Sequence, residues 1–500
     1  MVTRLVARWL PPVAVGIVAF AAARLAMLPG VGYWDTGELQ VVAPVLGTAH
    51  PTGFPTYVLL GWIANVLLTP FGDPAFRMNL FAGLCVGVAA AVVVDLVRAL
   101  TRSTLLGVMA GLGLTLTGIV WKVGTQAEAH ALHLALSAIL LRLLVAWGDD
   151  RRDRTLIAAA IVFGLAAGNH SLTLLFVPPI ALYVAAVDPD ILWKPRLVLG
   201  SVAAAVLTTA IVYLELPIRS GLIPAPLVYG RPDTWDGFWY IALAEQFRGS
   251  LVAPFDDLAV KAGDLIARTV EAFGPLAVLL PIAFVVTAVR RPAYALLTGS
   301  AAALTCFFAA SYTNAMIDRY YVGPVLLGWT WLAILAEGVA RLAGTGVDAD
   351  GRRRMQPIVA VVLAVVLLVP TAIELPARYR QVDRSSDQSA ALWLDQTLAR
   401  LAPDAVIVTW WSYSTPLWYA QLIEGRRPDI SIIDDRTRLD RDLGDVYDVI
   451  DRYLPTNPVY VIRVEPSEIA GITERYVVEQ LVGFDPSMLA RVIRRRGAAG

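Results

Sequence analysis

Charge is scarce in this sequence. Only 16% of its 500 residues are charged, against about 25% in a typical soluble domain. The 41 basic and 41 acidic side chains cancel. No excess of positive charge is available to hold nucleic acid. Cysteine is nearly missing. Cys85 and Cys306 are the only two, both within apolar runs, which excludes a disulfide framework and a cysteine metal cluster. No Walker phosphate loop or dinucleotide fingerprint is found, which argues against ATP-driven transport by this chain. There is no internal repeat and no low-complexity tract. Histidine is limited to four positions.

Apolar residues take the place of what is missing. They make up 57% of the chain, and the mean hydropathy is +0.62. A helix needs roughly 20 mostly apolar residues to cross a bilayer. Eleven stretches qualify or come close: 9–28, 79–99, 104–121, 131–147, 155–168, 171–187, 197–215, 274–289, 293–311, 320–341 and 356–372. The first follows Arg4 and Arg8 and is long enough to span, so it reads as an uncleaved helix rather than a signal peptide. The pair 155–168 and 171–187 is short and also reads as one broken helix, so the total lies between ten and twelve. The segment 54–69 is apolar but short and proline-flanked, as an interfacial or re-entrant helix would be.

Basic residues mark the cytoplasmic ends of spans. With the N-terminus inside, every alternate loop is basic: Arg98 and Arg102; Arg151, Arg152 and Arg154; Lys194 and Arg196; Arg290 and Arg291; Arg341 and Arg352 to Arg354. The polar linker 344–354 then lies inside. The long loops 29–78 and 216–273 and everything after about 373 fall outside. The expected organisation is a transmembrane domain over 1–372 and an extracytoplasmic domain over 373–500. In the latter, "DAVIVTWWS" (404–412), "DISIID" (429–434) and "NPVYVIRV" (457–464) read as strands, with a helix over 414–424. Abundant alanine, valine, leucine and arginine suggest a GC-rich bacterial source, hence a bacterial cytoplasmic membrane.

Polar side chains at membrane depth are costly and usually face a cavity or a partner. Here they fall near the outer ends of the expected spans. They comprise His50, His130, His133 and His170, the acids Asp35, Glu38, Glu128, Glu215 and Asp318, and the cations Lys122, Arg219 and Arg319. Any single one has an ordinary reading as a helix cap or a structural ion pair. The His130–His133 spacing of i, i+3 could serve a metal and also arises by chance. Together they suit chemistry on an anionic, membrane-borne substrate. Arginine binds phosphate through paired hydrogen bonds, and a carboxylate can take a proton from a hydroxyl. A sugar linked to a lipid phosphate needs both.

"YWDTGELQVVAPVLGTAHPTGFPTYVLLG" (33–61) and "PFGDPAFRMNLFAGL" (70–84) closely resemble a bacterial multi-pass family of formerly unknown function. That family is related to the eukaryotic transmembrane protein O-mannosyltransferase of plexin-type domains. Its pattern is an aromatic residue, Asp-Ser/Thr-Gly-Glu, then His-Pro-x-Gly-x-Pro. The resemblance continues through "TQAEAHALHLALSAILL" (125–141), "GLAAGNHSLTLL" (164–175), "YLELPIRS" (213–220), "DRYYVGP" (318–324) and "PLWYAQLIEGRRPDISII" (416–433). At "AEAH", relatives often carry a Glu-Val-Tyr-type run instead.

The resemblance implies a polytopic α-helical GT-C-like fold of about eleven transmembrane helices with a small outer α/β domain. It implies an inverting glycosyltransferase with a polyprenyl-phosphate sugar donor, possessing a catalytic carboxylate in the first outer loop. By that likeness Asp35 is the expected base, with Glu38 second. His50 would position substrate, and Arg219 and Arg319 would hold the lipid phosphate. Glu128, His130, His170 and Asp318 complete the expected substrate-binding set. Mannose is favoured only through the eukaryotic relatives, and the acceptor is expected to be a protein or an envelope glycan. Some GT-C enzymes use a divalent metal, but no ligand set here demands one.

Two other readings of the same residues stand beside this one. A secondary transporter or flippase would line a central path with its charges. A membrane scaffold would use the outer domain to bind a partner.

Overall fold

The computed structural model describes residues 2–313, 316–343, 349–483 and 488–497, with side chains outside 2–7, 349–354, 482–483 and 488. The linker residues 344–348 and the side chains of Arg4 and Arg352 to Arg354 lie outside that description. The chain divides into two compact units. One comprises Met1–Met27, Leu80–Leu214 and Gln246–Ser385; the other comprises Leu28–Asn79, Glu215–Glu245 and Ser386–Gly500.

The fold is that of a polytopic helical membrane protein. Among the described residues, eight helices are long and apolar enough to cross a bilayer: Arg8–Leu25, Pro74–Thr101, Ala129–Asp150, Pro195–Leu222, Leu258–Arg290, Pro292–Ala310, Ile317–Ala343 and Met355–Val382. They coincide with eight of the eleven expected spans. The other three fall on Thr104–Thr115, Asp153–Asn169 and Ser171–Val187, each under 18 residues. The segment 54–69 forms a helix of 13 residues, Pro55–Leu67.

Small residues set the packing of the first unit. A Cβ on Gly16 would come within 2.8 Å of the Gly87 carbonyl oxygen, so the two helices meet backbone to backbone. This is the usual means of close helix packing in lipid. Charges inside this unit are paired. Asp95 accepts from Arg142 at 2.6 Å and also meets Arg98; Glu337 accepts from Arg290 at 2.6 Å. An unpaired charge at such depth would be costly.

The segment 216–273, expected as one loop, carries two helices, Trp235–Ala242 and Leu258–Phe273. In the second, Phe273 is buried and Leu265 joins an apolar cluster, while Leu258, Ile266 and Val270 remain exposed. Lys261, Asp264, Arg268 and Glu271 share the opposite face, so the helix is amphipathic, as one lying at a membrane surface would be.

The second unit contains a five-stranded sheet. Its strands are β1 (Val406–Thr409), β2 (Ser431–Asp434), β3 (Val459–Arg463), β4 (Tyr476–Gly483) and β5 (Met488–Arg495), in the order β2-β1-β3-β5-β4. The first three are parallel, and β5 runs antiparallel to both β3 and β4. The three expected strands are these parallel ones. Their continuous apolar runs fit strands covered on both faces. Val406, Val408, Val459 and Val461 join Val449 and Ile450 in the domain core. Thr409 of β1 lies opposite Asp434 of β2, so the two strands end in register. Helices begin directly beyond both ends, at Trp411 and Asp435.

Candidate functional site

The segment that follows the first span contains a helix, Trp34–Val45. Asp35 lies in its first turn and Glu38 three residues later, so both carboxylates share a face. Gly37 lies between them because nothing larger fits. A Cβ there would stand 2.4 Å from the Gly32 carbonyl oxygen and 2.6 Å from Thr415 Oγ1. The absence of that side chain lets this helix pack closely on the helix Trp411–Trp418.

Polar side chains hold the two ends of the Trp34–Val45 helix. Near its start, Gln40 Oε1 accepts from the Gly32 amide at 2.8 Å, and Gln40 Nε2 donates to Asn79 Oδ1 at 2.9 Å. At its end, Arg219 Nε donates to the Leu46 carbonyl at 2.9 Å and Nη2 to the Val45 carbonyl at 3.2 Å. A cation at these terminal carbonyls satisfies both their lone pairs and the helix dipole.

Glu38 is fully buried and fully engaged. Its Oε1 accepts from the His50 amide at 3.0 Å and from Arg436 Nη1 at 3.0 Å, and its Oε2 meets His50 Nδ1. Asp35 is only partly buried. One ligand atom from each of Asp35, Glu38 and His50 lies within 4.8 Å of the others. Two carboxylate oxygens and an imidazole nitrogen can hold a divalent cation. Such an ion would compete with Arg436 and His50 for Glu38.

Aromatic rings surround this group. The Arg436 guanidinium carbon lies 4.4 Å from the Trp411 ring centre and 4.8 Å from that of Tyr229. His50 packs edge-on against Phe54 at 4.8 Å and Trp411 at 5.7 Å. Trp34 stands edge-on to Trp411 at 6.1 Å and is 40% exposed, with its backbone in the left-handed region at φ 58°. Burial, with help from the Glu38 charge, pushes the Tyr229 hydroxyl well above its ordinary pKa, so it stays a neutral phenol. Burial also raises the pKa of Asp434, against the pull of Arg436. For Arg436, burial opposes the charge, but Glu38, Tyr229, Asp434 and Asp35 outweigh it and hold the pKa above the ordinary arginine value.

The polar residues expected near the outer ends of the spans divide between the two units. Asp35, Glu38, His50, Glu215 and Arg219 belong to the second unit; Glu128, His130, His133, His170, Asp318 and Arg319 belong to the first. Glu128 caps the helix Ala129–Asp150. It accepts from Arg319 at 2.8 Å and meets His130 Nδ1 at 2.9 Å. The His130 ring lies 4.5 Å from that of His170, whose Nδ1 accepts from the Leu172 amide at 3.1 Å. His133 Nδ1 meets Thr173 Oγ1 at 3.4 Å. This buried network joins the ends of several helices. Asp318 is apart from it, half exposed and paired with Arg268.

The first unit also holds a cavity of about 820 Å³. Ile266, Phe273, Phe284 and Trp331 contribute apolar wall, and the charged lining is mixed, with Lys122, Arg268 and Arg378 beside Glu271 and Asp318. A chamber with this much apolar wall is chemically matched to a lipid chain.

Sequence reasoning missed Arg436, Trp411 and Tyr229. "DDRTRLDRDLGD" (434–445) resembles an ordinary solvated charged segment. The usable signal was the place of Arg436, two residues beyond the end of an expected strand. In parallel α/β sheets, ligands bind outside the carboxyl ends of strands.

Residues 35–190 match the family model described as the Protein O-mannosyl-transferase TMEM260 N-terminal domain. The chain is 26% identical over 435 residues to Protein O-mannosyl-transferase TMEM260 of Mus musculus, covering 81% of this chain and 59% of that protein. It is 23% identical over 264 residues to the Dictyostelium discoideum protein of the same name, covering 48% of this chain and 32% of that one. The matches thus span less than two thirds of either relative. Among solved structures, ArnT from Cupriavidus metallidurans bound to undecaprenyl phosphate superposes with a TM-score of 0.59 at 14% identity, covering 99% of both chains. Its apo state gives a TM-score of 0.61 at 14% identity, covering 98% of both. This chain is thus similar to the TMEM260 protein O-mannosyl-transferases over most of its length and has the GT-C-like fold seen in ArnT.

Proposed function

We propose that this chain is an inverting membrane glycosyltransferase that moves a hexose from a polyprenyl phosphate to an acceptor hydroxyl, with Asp35 as general base. The observation that carries this reading is the division of labour between the two acids. Glu38 has both oxygens engaged by His50 and Arg436 and no exposure. Asp35 shares its helix face and is partly open. The base must reach the acceptor, so the open acid takes that part and the buried one positions its neighbours.

In the reaction, the acceptor oxygen attacks the anomeric carbon as its proton passes to the Asp35 carboxylate. The bond between that carbon and the phosphate oxygen breaks, and its electron pair leaves on the polyprenyl phosphate. The largely apolar cavity of the first unit supports a lipid-linked donor, as does the undecaprenyl phosphate carried by ArnT. The names of the TMEM260 relatives favour mannose and a protein acceptor. In this reading the membrane is the bacterial inner membrane and the N-terminus is cytoplasmic. Segments 29–78 and 216–273 and the domain 373–500 then face the outside.

The test is transfer of labelled mannose from undecaprenyl phosphate mannose to envelope proteins by the full chain in nanodiscs, with and without Asp35→Asn. Loss of transfer in a correctly inserted variant supports the assignment. Full transfer by that variant removes Asp35 from the role. Movement of lipid-linked sugar across the membrane without transfer would support a transporter instead.

A further inference from the structure

The established likenesses leave open which cation meets the phosphate. Arg219 spends its Nε and Nη2 on the carbonyls of Leu46 and Val45. Arg319 is committed to buried Glu128. Arg436 differs from both. Its Nη1 donates to Glu38 at 3.0 Å, and among the described residues no further hydrogen bond occupies Nε or Nη2. Its side chain is 12% exposed.

The surroundings hold this guanidinium in place. It follows β2 by two residues, at the start of the helix Asp435–Asp440. Asp434 caps that helix by accepting from the Thr437 amide at 2.8 Å. The adjoining Asp435 is gripped by Arg463 at 3.1 Å, and Arg463 also donates to the β1 carbonyl of Thr409 at 3.0 Å. The rings of Trp411 and Tyr229 lie against the guanidinium and limit its movement. A fixed planar fork of this kind suits a phosphate better than a mobile ammonium does.

We propose that Arg436, at the carboxyl ends of β1 and β2, binds the donor phosphate and meets the charge that develops on it as the glycosidic bond breaks. This rests on the transferase reading given above. The donor phosphate enters with one negative charge and leaves with two, beside the carboxylates Asp35 and Glu38. Without a cation at that position, the developing charge would face only like charge. Glu38 then acts as the support that aims the fork.

The experiment uses the full chain in nanodiscs, with Arg436→Lys and Arg436→Gln. Binding of undecaprenyl phosphate is measured by titration, and transfer from undecaprenyl phosphate mannose is measured separately. Arg436→Lys should weaken lipid-phosphate binding and lower kcat about tenfold, and Arg436→Gln about 100-fold, with the acceptor KM unchanged in both. A folded Arg436→Gln protein with wild-type binding and inhibition by undecaprenyl phosphate overturns the proposal. If that variant fails to fold, the same result in Arg436→Lys overturns it. Wild-type protein that binds undecaprenyl phosphate through Arg436 but transfers no sugar refutes the transferase reading and leaves the phosphate site standing. Wild-type protein that binds no undecaprenyl phosphate refutes both.

Discussion

The His50 amide donates to Glu38 at 3.0 Å across 12 positions of sequence, and the His50 ring meets the other oxygen of the same carboxylate. Two features of one motif, the acid pair and the His-Pro turn, are thereby joined into a single construction. Glu38 is its hub, and Asp35 is the acid left accessible beside it.

That arrangement separates the two acids experimentally. Asp35→Asn should lower kcat by about 100- to 10,000-fold and leave the melting temperature nearly unchanged. Glu38→Gln should instead destabilise the fold by about 3 kcal/mol, because the mostly buried Arg436 loses its countercharge. Turnover and thermal unfolding of each variant in detergent decide the matter. A stable Glu38→Gln protein would refute the hub role.

Arg219 is expected to act on stability through the helix it terminates. Arg219→Ala should cost about 1–2 kcal/mol, since the Leu46 and Val45 carbonyls lose charged donors. Arg219→Lys should restore part of the loss. Thermal unfolding monitored by intrinsic fluorescence reads both. A larger effect on donor KM than on stability would return Arg219 to substrate binding.

Asp434 gives a pH prediction with a definite sign. Burial raises its pKa above the ordinary 3.8, so the folded state holds the proton more tightly than the unfolded state. Stability therefore falls as pH rises from the ordinary value through the raised one, and stays reduced above it. Asparagine preserves the cap on the Thr437 amide and carries no charge. Asp434→Asn should thus match or exceed wild-type stability at pH 7 and lose the advantage below the ordinary carboxylate pKa. Melting curves over that range test it, and a variant weaker than wild type at pH 7 contradicts it.

The cavity of the first unit offers a test in which bulk is the variable. Ala302 lines it. Ala302→Phe should raise the KM for a long-chain donor about tenfold while sparing a short-chain donor and the acceptor. Equal effects on long and short donors would place the lipid elsewhere.

Much of this molecule was legible in the sequence, and the failures have physical causes. Long apolar runs announce spanning helices because lipid leaves a backbone no other partner. The acids and His50 were legible because they are polar residues in a setting where polarity is costly. The helix Trp34–Val45 was hidden by Gly37 and Pro44, residues that ordinarily mark turns. Gly37 is there for packing, a reason visible only once Thr415 is known to lie against it. Strands β4 and β5 escaped notice because Glu479, Arg491, Arg494 and Arg495 interrupt their apolar residues. Arg436 was invisible for a simpler reason: its partner lies far away along the chain.

That distance bears on how the protein is made. Glu38 and Arg436 are 398 positions apart, and chains are synthesised at about 5–20 residues per second. The ribosome therefore needs about 20 to 80 s after adding Glu38 before its countercharge exists. Throughout that interval the acid pair is present without the cation that completes it. Termination anywhere before Arg436 would leave a membrane-inserted chain whose Glu38 lacks the arginine that pairs with it.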